Sequence, residues 1–182
     1  RTGALLNLKA IADIDTTTDR GVDLGDTALV SDAMAVINDP DIDIVVELIG
    51  GETVAKAFTL KALENKKHVV TANKALLAGH GNDLVKTART NQVDLAFEAS
   101  CGGCMPIIKS LRESLVANDI NSMSAILNGT CNYILTKISQ DGSEFDVALK
   151  DAQDLGFAEA EPSLDIDGHD TAHKLAILNA LA

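Results

Sequence analysis

Ten residues near the C-terminal end, Asp165 to Lys174 (DIDGHDTAHK), bring together three carboxylates, two histidines and a lysine. Two kinds of chemistry suit such a set. His169 and His173 stand four apart, the spacing that turns two imidazoles toward one zinc ion from a helix face. Asp170, however, stands where a metalloprotease helix carries Glu, and no third His or Cys lies nearby. Asp170 and Lys174 are also four apart, so a helix starting near Asp170 places them on one face, where the carboxylate can fix the ammonium. A lysine held in this way can exchange a proton with a hydroxyl or a carbonyl. The bland alternative is an exposed ion pair.

Two further stretches carry weaker signals. CGGC (101–104) has the spacing of a redox pair or half a zinc site, but no second C-x-x-C accompanies it. Its paired glycines instead suit a backbone folded so tightly that carbonyls converge, and Glu98 just upstream adds a carboxylate of the kind a hard cation takes; a simple turn is the other reading. In VTANKALLA (70–78), Lys74 follows directly on a strand, where open α/β sheets bind ligands and where lysines are also commonly just solvated.

The chain that must position these residues has 182 of them, 46% hydrophobic, enough for one core and a small second one. Its formal charge of −12, with no Lys/Arg run, argues against a nucleic-acid partner. Three cysteines cannot all pair, which fits a reducing, cytoplasmic compartment, and no apolar run reaches the roughly 20 residues that span a bilayer. The expected ligand is small and polar.

Leu8–Asp13 predicts a strand leaving into a polar loop. SDAMAVINDP (31–40) predicts a short helix capped by Ser31 or Asp32, and IDIVVELIGG (42–51) a buried parallel strand. Helix over 52–67, a strand breaking into a polar turn and a second helix start over 67–78, helix over 82–91 and strand over 93–100 follow. This alternation is the signature of an α/β class with right-handed βαβ units, a partial Rossmann-like parallel sheet covered on both faces. After Ser100 the texture changes. Pro106 opens a helix, Ile120–Leu127 suits a strand of another sheet, and Ser143 caps a helix that Gly156 stops in a left-handed turn. The expected organisation is a partial dinucleotide-binding domain over 1–103 and part of an α+β substrate and dimerisation domain over 104–182.

AQDLGFAEAEPSLDIDGHDTAHK (152–174), VVELIGG, HVVTANKALLA, FEASCGGCMPII and ILNGTCNYILT stand in the order and form in which they occur in homoserine dehydrogenases, and from about residue 41 onward the chain closely resembles that family. The resemblance implies NAD(P)-dependent interconversion of L-homoserine and L-aspartate 4-semialdehyde, in the biosynthesis of threonine, methionine and isoleucine, by a homodimer. It implies that Lys174 exchanges the proton at the substrate oxygen and that Asp170 binds substrate and positions that lysine. Glu159 then meets the substrate amino group near the cofactor, and Asp165 belongs to the same site. Gly50, Lys74 and Gly156 fall at cofactor-contacting positions. The glycine loop maps to a sodium site of Glu98 and the backbone oxygens of Cys101, Gly103 and Met105. His169 and His173 receive no catalytic role; a metal-dependent hydrolase built on them is the alternative from another class.

This sequence departs from the family pattern at Glu161, where the family has Asp, Asn or Ser, and at Cys101 and Cys104, which are commonly apolar and Gly. No G-x-G-x-x-G occurs in the 182 residues. The resemblance therefore implies an internal stretch of a longer protein, and the stretch alone is expected to show neither homoserine oxidation nor specific dinucleotide binding. Asp13, ending a strand, favours NAD through the ribose, whereas Arg20 suits the 2′-phosphate of NADP.

Overall fold

The computed structural model describes residues 3–182, and these divide into two compact units, one of residues up to Leu76 with His80–Ala96, the other of Leu77–Gly79 with Phe97–Ala182.

In the first unit the elements run β1 (Ala10–Ala12), β2 (Ala28–Val30), α1 (Ala33–Asn38), β3 (Ile44–Glu47), α2 (Thr53–Glu64), β4 (His68–Thr71), α3 (Lys74–Asn91) and β5 (Leu95–Ala96). All strand pairs are parallel, as the alternation of strand and helix predicts, but they form two small sheets, β1-β2 and β3-β4-β5. β2 was not foreseen. It enters after a loop over 13–27 in which Asp13, Asp15, Asp19 and Asp23 each accept a backbone N–H two residues on, a geometry that competes with helix formation. Asp32 caps α1 by accepting from the N–H groups of Met34 and Ala35. Lys67, buried, closes the turn before β3 by donating to the carbonyls of Asp39 and Ile42 at 2.6 Å each. α3 runs unbroken through Gly79 and Gly81 and ends on Gln92 in the left-handed conformation.

The expectation that β3 is buried and its sheet covered on both faces is corrected by the pattern of exposure. Val45, Glu47, Val69, Thr71 and Leu95 share the face against which α2 packs, and all are buried or half-buried. On the other face Ile44 is 46% exposed, Val46 58% and Val70 36%. Right-handed crossovers after β3 and β4 supply helices to one side only. The link from β1 to β2 is the Asx-rich loop, so no helix arises there for the opposite side. A continuous β-branched run looks the same in sequence whether one or both faces are covered.

In the second unit a 3₁₀ turn (Glu98–Ser100) leads through the glycine loop to α4 (Ile107–Lys109), which widens into a π turn over Ser110–Ser114. Then come α5 (Gly129–Asp141), α6 (Phe145–Asp154), α7 (Ser163–Ile166) and α8 (His169–Leu181). Residues 120–127 form no strand, because no strand of the described residues pairs with them; they run as largely exposed irregular chain into α5. α6 begins one residue later than Ser143 capping requires: Glu144 is the cap residue and makes no side-chain cap bond. Gly156 does take the left-handed turn, at φ 76°. α5 and α6 close a small core of Ile134, Ala148, Ala152 and Ala158, flanked by Tyr133, whose ring lies 5.0 Å from that of Phe157. That core fixes the first turn of α5 and the loop after α6, the two places from which the polar groups below extend. No helix of the described residues is long and apolar enough to cross a membrane.

Candidate functional site

Asp170 lies in the first turn of α8, where a carboxylate meets the positive end of the helix dipole, and Lys174 stands one turn on. Lys174 Nζ donates to Asp170 Oδ2 at 2.7 Å and to the backbone carbonyl of Leu127 at 2.7 Å. The bland reading of this pair as an exposed surface bridge does not hold. The side chains are 20% and 9% exposed, so the contact is screened far less than a surface pair and both partners are fixed. These contacts engage two of the three ammonium N–H groups.

Asp170 is held from a second direction. Asn128 is the N-cap of α5, its Oδ1 accepting from Cys131 N at 2.8 Å. Its amide nitrogen donates to Asp170 Oδ2 at 2.8 Å and to Asp165 Oδ1 at 2.7 Å. Thr130 Oγ1, with its single hydrogen, donates to the carbonyl of Phe157 at 2.6 Å and lies within sharing distance of Asp165 Oδ2 at 3.1 Å. Cys131 Sγ donates to the Asp165 carbonyl at 3.2 Å. Burial, then Asp165 and Asp170, push the Cys131 thiol up, which keeps it a neutral donor. Cys101 is also pushed up, by burial first and by the Asp170 and Glu98 carboxylates, against an opposing pull from Lys174. Neither thiol has the lowered pKa of a nucleophile.

Asp165, Asp170 and Lys174, singled out from the sequence, thus meet in one network, while Asn128, Thr130 and the Leu127 carbonyl were not foreseen. The available signal was Asn128 itself, an N-cap residue standing directly before a helical run. Glu159 is exposed in the loop after α6, its backbone carbonyl accepting from Gln153. Gly156 turns the chain between them. His169 is exposed and His173 half-buried, and among the described residues no three His, Cys, Asp or Glu side chains are grouped to hold a metal ion. The hydrolase reading therefore lacks its third ligand.

In the glycine loop, Glu98 accepts from the N–H groups of Ile108 and Lys109 at 3.0 and 2.9 Å and so caps α4. The Gly102 carbonyl accepts from Met105 N and the Met105 carbonyl from Ile107 N. Gly102 has φ +81° and a Cβ there would lie 3.4 Å from the Met105 side chain, so this is where the turn needs glycine. Cys104 is exposed, and its side chain is accommodated in solvent. The three cysteines are free.

In the first unit, Gly50 sits in the loop after β3 at φ 79°, with nothing within 4 Å of the position its Cβ would take. That loop is shaped by Glu47, which is buried and accepts from Ile49 N at 2.8 Å, Gly50 N at 3.3 Å and Thr71 Oγ1 at 2.5 Å. Asn73 caps α3 and its amide donates to the Gly51 carbonyl at 2.6 Å. Lys74, half-buried, is the first residue of α3. After β1 the Arg20 guanidinium folds back to within 3.2 Å of Asp13.

A family model described as "Homoserine dehydrogenase, NAD binding domain" matches residues 2–98, and one described as "Homoserine dehydrogenase" matches 106–182. Among curated relatives, the homoserine dehydrogenase of Pseudomonas aeruginosa is 51% identical over 160 residues, covering 88% of this chain and 37% of that protein. That of Neisseria gonorrhoeae is 46% identical over all 182 residues, 42% of its own length. Among solved structures, a homoserine dehydrogenase from Thiobacillus denitrificans superposes with a TM-score of 0.81 at 50% identity, covering 84% of this chain and 36% of that one. A hyperthermophilic archaeal homoserine dehydrogenase in complex with NADPH gives 0.75 at 32% identity, covering 82% and 46%. The chain spans about two fifths of the length of the curated relatives it matches.

Proposed function

The chain belongs to the homoserine dehydrogenase family, and from that membership we propose that it works in the NAD(P)-dependent interconversion of L-homoserine and L-aspartate 4-semialdehyde, in amino-acid biosynthesis. The observation that carries the reading is the Lys174 ammonium fixed by Asp170 and the Leu127 carbonyl at 2.7 Å each. In oxidation, neutral Lys174 Nζ takes the proton of the C4 hydroxyl; in reduction, the ammonium returns it to the carbonyl oxygen. Asp170 holds Nζ in place through a charge-assisted hydrogen bond. Asp165 lies beside it through Asn128, and Glu159, exposed in the neighbouring loop, offers the opposite charge that the substrate ammonium requires.

A nicotinamide coenzyme supplies the hydride acceptor when bound. Gly50, with open space at its Cβ position, offers backbone that can approach a ring closely, and Lys74 and Gly156 are assigned to the same coenzyme by the family pattern. The Asp13–Arg20 pair bears on which coenzyme is used: Asp13 suits the ribose hydroxyls of NAD, and Arg20 would leave Asp13 for the 2′-phosphate of NADP. For sodium, the donor set is of the right hardness, one carboxylate (Glu98) with the main-chain oxygens of Cys101, Gly103 and Met105. A homodimer in the cytoplasm completes the proposal.

The test is steady-state oxidation of homoserine by the complete gene product, followed at 340 nm with NAD and with NADP. Activity on homoserine that is absent with serine and threonine is the expected result. Chelator-sensitive hydrolase activity without coenzyme turnover would defeat the proposal.

A further inference from the structure

The Asn128 side chain is placed so that each of its polar atoms has one kind of partner. Oδ1 accepts the Cys131 N–H at 2.8 Å, which fixes which end of the amide is oxygen. Both hydrogens of Nδ2 then point to carboxylates on two different elements, Asp165 on α7 at 2.7 Å and Asp170 on α8 at 2.8 Å. Both carboxylates lie within hydrogen-bond reach of one nitrogen, and the residue is only 7% exposed. Without a donor between them, two ionised groups this close would repel, and one would take up a proton. The same stretch of chain holds the lysine from its other side, through the carbonyl of Leu127.

We propose that Asn128 is a positioning residue of the homoserine dehydrogenase reaction, keeping Asp165 and Asp170 ionised side by side so that Asp170 and the Leu127 carbonyl hold Lys174 Nζ at the substrate oxygen. This rests on the function proposed above. The groups facing Asp170 include Lys174 on its own helix, Asp165 on α7, Cys131 on α5 and Cys101 in the loop before α4. Both thiols are pushed up and neutral near pH 7; Lys174 and the Asn128 amide, together with the Thr130 hydroxyl and the first turn of α8, offset the pair of negative charges.

A residue that only capped α5 would be replaced without loss by Asp or Ser, both good N-caps. Asn128→Asp keeps the cap acceptor but substitutes a third carboxylate for the two donors; Asn128→Ser keeps the cap and supplies at most one hydrogen. In the complete gene product both are expected to lower kcat for homoserine by about 10- to 100-fold with KM for the coenzyme unchanged, and to move the acid limb of the kcat/KM profile to higher pH, Asp more than Ser. Unchanged kcat and acid limb in either folded variant would overturn the proposal and leave Asn128 a cap. A measurement on the unsubstituted protein covers the case in which neither variant folds. Both Asn128 side-chain amide proton resonances should move in a pH titration, with the midpoints of the Asp165 and Asp170 carboxyl carbons. Amide resonances that stay fixed while the carboxyls titrate would also overturn it. If the unsubstituted protein does not oxidise homoserine, the functional reading fails, while the titration still decides the role of Asn128.

Discussion

Two asparagines cap helices in the two units of this molecule and do opposite things with their remaining amide hydrogens. Asn73 caps α3 and donates to a backbone carbonyl, that of Gly51, beside a Glu47 carboxylate wholly occupied with backbone N–H groups and the Thr71 hydroxyl. Asn128 caps α5 and donates to two carboxylates, one of which also holds a lysine ammonium. The first network shapes backbone, leaving a glycine loop in one conformation. The second ties carboxylate side chains together and holds the Lys174 ammonium at two points. A buried carboxylate beside a glycine loop is therefore not by itself a sign of acid–base chemistry; the partner on its far side decides.

The largest effect that tests this contrast is in the second network. Lys174→Ala should reduce turnover in the complete gene product by about 10²–10⁴-fold, mainly in kcat, with the fold retained. His173→Ala should do far less, and comparable losses from both, reproduced by chelators, would put the metal reading in place of this one. Glu47→Ala probes the first network. It leaves the N–H groups of Ile49 and Gly50 and the Thr71 hydroxyl without their acceptor, at a cost of about 1–3 kcal/mol read as a lower urea midpoint. If the contrast is right, the activity lost with it appears in KM for the coenzyme and the pH profile keeps its shape. A displaced acid limb would mean that Glu47 does proton chemistry after all.

The smallest effect sharpens the role of burial. Asp15 is another carboxylate that holds backbone, but at the surface. The Thr18 hydroxyl, then the N–H groups of Thr18 and Thr17 and the Thr17 hydroxyl, keep its carboxyl well below the usual carboxylate range. A carboxyl lowered on folding gives local stability that is complete above its unfolded value near 3.8 and is lost as pH falls below that. Amide exchange at Thr17 and Thr18 should therefore accelerate below that pH while the global unfolding midpoint barely follows. An equal drop in both would show that the exposed loop is coupled to the core of its unit.

The i,i+4 spacing of Asp170 and Lys174, the cap at Asp32, the glycine stop at Gly156 and the parallel βαβ alternation were all legible in the sequence. Each follows from contacts within a few residues, where helix geometry and turn chemistry leave few choices. The motif blocks carried the family for the same reason, since they preserve local order along the chain. What only the tertiary structure decided involves partners far apart. Leu127 lies 47 positions from Lys174, and Asn128 lies 37 and 42 from Asp165 and Asp170. No periodicity registers such a meeting; α7, packed against both α5 and α8, brings the first turn of α5 beside the start of α8. Coverage of the β3-β4-β5 sheet is of the same kind. Alternation along β3 marks its two faces, but whether a helix lies over Ile44 and Val46 depends on how other strands are connected, and here the link from β1 to β2 is a loop.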